Sequence, residues 1–325
     1  MHRTRPLRLA ILALSGALAG CAHSEHATDA APPIPDAPVP VDATIPTASD
    51  AFWTAFLAQR YDELPGVIDQ LATAAAEHPD DAWAAELHAI ALIWRISEAA
   101  REPGLDPMQI PVFAVAAETS LLRASALLPT DPLILGRLGS LEIAIGSVLH
   151  DPARLARGQA AIDEGVRLYP EFTLFNRARL YFDLPATHPD AAARVNDFWQ
   201  KLDACAGEPV DRAAFDLGRY LAQATDVGPK RVCWNTPHTP HGVEGFFLYM
   251  GDALVRRGDA ATAKLIYANA RHSPDYASWP FRAQLDERIA SADDWAARLA
   301  DGDATNNPTL INAASIACAS CHAAR

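Results

Sequence analysis

The densest chemistry in this 325-residue chain sits in one short stretch, Cys318-Ala319-Ser320-Cys321-His322. Two thiols three residues apart fall on one helical turn, and an imidazole follows directly. Thiols so placed can add to paired vinyl groups as thioethers, close a disulfide, or bind zinc or copper together with the imidazole. Three further cysteines are Cys21, Cys205 and Cys233. A total of five leaves one thiol over, and in an exported chain that thiol needs its own account.

The rest of the chain excludes several chemistries. There is no G-x-S-x-G elbow, no glycine-rich phosphate loop and no H-E-x-x-H. Lys+Arg total 27 against Asp+Glu 40, a formal charge of −13, with no basic block. That balance speaks against a nucleic-acid partner. Acidic pairs such as Asp293-Asp294 read as solvated helix faces or caps.

The first residues carry Arg3, Arg5 and Arg8, then an apolar run from Leu9 to Gly20. A basic start before a short apolar run is the pattern of a secretory signal. The run is too short to span a bilayer, which takes about 20 apolar residues. Its end, Leu18-Ala19-Gly20-Cys21, resembles the lipobox of bacterial lipoproteins. The resemblance implies lipidation at Cys21, loss of residues 1–20 and a membrane anchor. With Ala22 rather than Asp after the cysteine, it further implies an outer-membrane, periplasm-facing location. Losing the three arginines would take the formal charge from −13 to −16. An oxidising compartment permits disulfides.

Residues 21–49 are proline-rich, with Pro32, Pro33, Pro35, Pro38, Pro40 and Pro46. They read as an extended tether without helix. At about 3.1 Å per residue such a tether reaches at most roughly 85 Å.

From residue 50 apolar residues recur at three- and four-residue spacing, as in Ala82, Trp83, Leu87, Ile90, Ala91 and Trp94. No alternating strand pattern is visible. The expectation is an all-α domain over 50–304, built from helix hairpins, with a tail at 305–325. Helices are expected near 50–60, 64–78, 81–100, 112–128, 132–148, 152–168, 171–182, 188–204, 210–224, 244–257, 260–272 and 279–299. Two segments interrupt this order, Glu102–Pro111 and 225–243.

Phe247, Met250, Gly251, Leu254, Ala263, Tyr267 and Pro274 follow W-x2-L-G-x2-Y, A-x3-F, P. That stretch resembles a tetratricopeptide repeat. The resemblance implies a helix-hairpin solenoid, with Gly251 and Ala263 small where two helices cross. Looser echoes stand at Ala74/Pro79, Ala124/Pro129 and Gly165/Pro170, at irregular intervals.

Cys318-x-x-Cys321-His322 resembles the c-type haem attachment motif. It implies haem c held by thioethers at Cys318 and Cys321, with His322 as the proximal iron ligand. Class I cytochromes c carry the motif near their start, and only three residues follow it here, so a haem on a folded-back tail is expected. A disulfide or a zinc or copper site at these residues stays open. Candidate distal ligands are His238, His241, Met250, Met108 and His272. Met250 is already claimed by the helical core. Cys205 and Cys233 are expected to form a disulfide closing a loop of about 28 residues, worth roughly 2–4 kcal/mol. The whole reads as a lipid-anchored envelope protein with an electron-transfer or redox role and protein partners. A non-enzymatic scaffold with the tail cysteines bridged is the rival expectation.

Overall fold

The computed structural model describes residues 44–180, 188–223, 229–234, 243–311 and 318–322. Among these residues the regular structure is helical throughout. The order is α1 (Thr44–Leu57), α2 (Leu64–Glu77), α3 (Ala82–Ser97), α4 (Gln109–Leu127), α5 (Pro132–Leu149) and α6 (Pro152–Leu168). Then come α7 (Pro170–Leu180), α8 (Pro189–Ala206), α9 (Val243–Arg256), α10 (Ala260–Asn269), α11 (Arg282–Ala300) and the single turn α12 (Ala319–His322).

Local chemistry sets most of the starts. Asp81, Asp131, Asp151 and Asp259 each accept from a backbone N–H of the helix they precede. Proline follows the cap in α5, α6 and α8, where its missing N–H costs nothing. The same rule corrects the tether boundary. Pro46 lies in the first turn of α1, so the helix begins at Thr44 and residues 44–49 belong to the folded part.

A second correction concerns 210–224. Its described residues hold no α-helix, only a 3-10 turn at Leu217–Arg219. Side chains take the backbone groups instead. Asp211 accepts from Ala213 and Ala214, Asp216 from Gly218, and the Asn269 amide pairs with Leu217 N–H and Phe215 C=O. The expected six hairpins are therefore not regular. α3/α4, α5/α6, α7/α8 and α9/α10 are the extensive antiparallel pairs, and α11 packs back on α9 and α10.

Glycines allow two of these pairs to close. Gly139 and Gly158 face each other across α5 and α6, each too near the other's carbonyl for a side chain (2.7 and 2.8 Å from a built Cβ). Gly251 lies under the Tyr267 ring, 2.1 Å from a built Cβ, as the small residue expected at the α9/α10 crossing.

Apolar packing divides into two main clusters. One joins α1 to α5, around Phe52, Phe56, Leu87 and Trp94. The other joins α7 to α11, around Phe198, Trp234, Phe247 and Tyr267. Two buried ion pairs stiffen the interior, Arg137–Glu86 between α5 and α3 and Arg288–Asp252 between α11 and α9.

Candidate cofactor site at the tail

After α11 the chain turns through Asp301 and Asp303, whose carboxylates accept from Asp303 and Thr305 N–H. Leu310 and Ile311 then enter the core. Ile311 N–H donates to Asp252 Oδ2 at 2.8 Å, so the start of the tail is pinned to α9. Asp252 is fully buried. Desolvation holds its carboxyl above the usual range although Arg288 and the Tyr267 hydroxyl (2.5 Å) oppose that shift.

The thiol-bearing turn is held by its backbone. Cys318 N–H donates to Glu98 Oε1 at 2.9 Å, across 220 residues of chain. The other Glu98 oxygen accepts from Trp94 Nε1 (2.9 Å) and Arg101 Nη1 (2.8 Å). Trp279 Nε1 donates to the Ser320 carbonyl at 2.8 Å. Cys321 N–H closes the turn on Cys318 C=O at 3.1 Å. On the α9 side Gly245 leaves room for this approach. A Cβ there would stand 2.5 Å from Cys321 Sγ and 2.6 Å from the Ser320 carbonyl oxygen.

Both thiols are buried and neither is in a disulfide. They belong to different clusters, Cys318 to the α1–α5 core and Cys321 to the α7–α11 core. The turn α12 thus sits at the seam of the molecule, touching both α1 and α9. Tyr249 is close enough to feel both thiols and Glu98. Burial, reinforced by those groups, drives its phenol far above the ordinary value, while Arg179, 3.1 Å from its hydroxyl, opposes the shift.

Cys321 lines a narrow cleft with room inside for about one water, walled by Phe172, Phe175, Val243 and Phe246. Glu171, Lys201, Val232 and Cys233 complete the wall. That space is far below what small-molecule sites need, so a tetrapyrrole does not enter it unless the walls move apart. Of the groups covalent haem needs, the described residues supply two unbridged thiols on one turn.

Cys205 and Cys233 form the expected disulfide, tying α8 to the turn Pro229–Val232. Met250 is wholly buried in the same cluster as Cys321. Met108 is 62 % exposed before α4 and belongs to neither main cluster, so the fold does not bring it to the tail. His272 is half exposed and faces Asp216 at 3.7 Å. Cys21, His238, His241 and the side chain of His322 lie outside the described residues. Among the described residues no cluster of three metal-ligating side chains occurs.

Sequence reasoning missed Glu98, Trp279, Asp252 and Gly245. Only Gly245 had a local signal, a glycine within an apolar helical run, which marks close approach of another backbone. Compared with protein-family models, curated proteins and solved structures, the chain matches none.

Proposed function

We propose that this is a lipid-anchored, periplasm-facing protein carrying one covalent haem c, with an electron-transfer role in an envelope assembly. Cys318 and Cys321 are the thioether donors and His322 the proximal ligand. Haem c supplies reversible one-electron transfer at its iron. The observation that carries this reading is the burial of two unbridged thiols on one turn, with Cys321 beside an aromatic-walled hollow. A tail that served only as solvated linker would have no reason to bury both sulfurs at the seam.

The chain's own residues have definite tasks in this reading. Glu98 and Trp279 hold the turn by its backbone. Asp252 fixes the chain that leads into the turn. Phe172, Phe175 and Phe246 would shield a bond made at Cys321 from water. The helix hairpins form a tetratricopeptide-like solenoid that holds these anchors and offers its surface to protein partners, while Cys21 supplies the membrane tether. His238 and His241 are the favoured distal ligands, because Met108 lies on the surface and Met250 is built into the core.

The test is expression in a host with cytochrome c maturation machinery. The expected product is coloured, stains for haem after denaturation and gains the mass of one haem. Cys321→Ala abolishes double attachment. A colourless product of unmodified mass at Cys318 and Cys321 rejects the proposal.

A further inference from the structure

One face of α4 stays uncovered among the described residues. Eight large apolar side chains are exposed there, and six of them lie on α4 or beside its ends: Met108, Val112, Val115, Leu122, Leu127 and Leu128. Four of these fall on one line. Met108, Val112, Val115, Thr119, Leu122 and Ala126 are spaced alternately four and three residues apart, and all six are exposed. Such spacing sets side chains in one seam along a helix, the geometry by which two helices pack together. Met108 stands just before the first turn but already has helical backbone angles (φ −71°, ψ −14°), so it extends the seam.

The seam carries no charge. The two charged side chains of α4 are tied to other parts of the chain, Glu118 to Arg154 at 2.9 Å and Arg123 to the carbonyls of Pro79 and His78 at 2.9 and 2.8 Å. Thr119 already donates its hydroxyl to Val115 C=O at 2.9 Å, so covering it strands no donor. The chain has a formal charge of −13, so two copies repel across most of their surface, and a charge-free face is where that repulsion is least. Helices that lie on a bilayer draw on Lys and Arg beside their apolar face. The one basic residue of α4 is Arg123, and it is engaged with carbonyls.

The seam is also self-complementary. A twofold axis level with Ala117 sets Met108 of one copy against Ala126 of the other, Val112 against Leu122 and Val115 against Thr119. The outer layers then pair a larger with a smaller side chain. Two such faces laid together hide about 1,000 Å² in total, at the threshold for specific association, so the pairing is expected to be weak and reversible.

We propose that α4 is a self-association surface, along which two copies of this chain pair antiparallel through the seam from Met108 to Ala126. The pairing does not depend on the chemistry at the tail.

Sedimentation equilibrium tests it on the full chain bearing Cys21→Ser, a background common to all variants in which no acyl group drives association. The expected result is a dimer that dissociates at about 10–100 µM. Val112→Glu and Leu122→Lys, each alone, bury a lone charge in the seam and should weaken the dimer about tenfold or more. Their urea midpoints should stay near wild type, because both positions are exposed. In the antiparallel pair Val112 and Leu122 meet twice, so the double variant Val112→Glu/Leu122→Lys should return to within about threefold of wild type. Ten residues apart, the two cannot pair within one helix, so rescue comes from the second copy alone. A wild type that stays monomeric at about 300 µM overturns the proposal, as does a dimer that both single variants leave intact. A double variant no tighter than the singles overturns it too. Binding of monomeric wild type to phosphatidylglycerol–phosphatidylethanolamine vesicles, lost in Val112→Glu, assigns the face to lipid and likewise overturns it.

Discussion

The molecule buries two cysteine pairs, and it treats them in opposite ways. At the stapled corner the side chains are bonded to each other, joining a helix to the turn Pro229–Val232. At the tail the backbone is anchored by Glu98 and Trp279, and the sulfurs are left unbridged. The staple spends its sulfur chemistry on loop closure, which lowers the entropy of the unfolded chain. The tail reaches the interior without a disulfide. Burial alone therefore does not distinguish a bridged cysteine from an unbridged one. The two regions meet at one hollow, which Cys233 and Cys321 both line.

This contrast can be broken most directly at the staple. Cys205→Ala with Cys233→Ala is expected to cost about 3–4 kcal/mol in urea unfolding, from a closed loop of 28 residues. In protein without haem, Cys318→Ala with Cys321→Ala should cost clearly less, about 1–2 kcal/mol for lost packing. A larger loss at the tail than at the staple would reverse the assignment.

The next effect separates the regions through α9. Gly245→Ala places a methyl group against Cys321 and Ser320 and should cost about 1–3 kcal/mol. Cys318 and Cys321 should then react at least about tenfold faster with a thiol reagent, because local release exposes them. Peptide mass mapping should find the Cys205–Cys233 bond intact. Trp279→Phe should act in the same direction at roughly 1 kcal/mol, the worth of one buried hydrogen bond to the Ser320 carbonyl.

The smallest expected effect is a pH dependence at Asp252, which pins Ile311. Its folded value is raised, mainly by burial, so the folded state holds this proton more tightly than the unfolded chain. Its contribution is full below the ordinary carboxyl value and is lost as pH rises through the raised folded value. The stability of wild type relative to Asp252→Asn should therefore decline as pH rises across that window. Urea midpoints measured for both proteins over the acidic range check the sign.

Much of the fold was legible in residue order. The spacing of Ala82, Leu87, Ile90 and Trp94 announced a helix, and α3 is one. Gly251 and Ala263 announced a close crossing, and Tyr267 lies directly over Gly251. The pairing of Cys205 with Cys233 followed from assigning the other cysteines elsewhere. The failures came where competing local bonds outweighed periodicity. Residues 210–223 have helical composition, but Asp211, Asp216 and Asn269 capture their backbone groups. Pro46 looked like a breaker and is a helix start, because a first-turn N–H needs no partner inside the helix.

Residue order is enough to read the short-range features: the helical periods, the caps, and two thiols spaced for one turn beside an imidazole. These depend on neighbours a few residues apart, so residue order suffices to read them. Only the tertiary structure decided where that turn goes. It set Cys318 against Glu98, Ser320 against Trp279 and Cys321 against Gly245. It also buried Lys201 beside the same hollow. Such contacts join segments tens to hundreds of residues apart, and they follow from which surfaces the whole array of helices leaves free to meet.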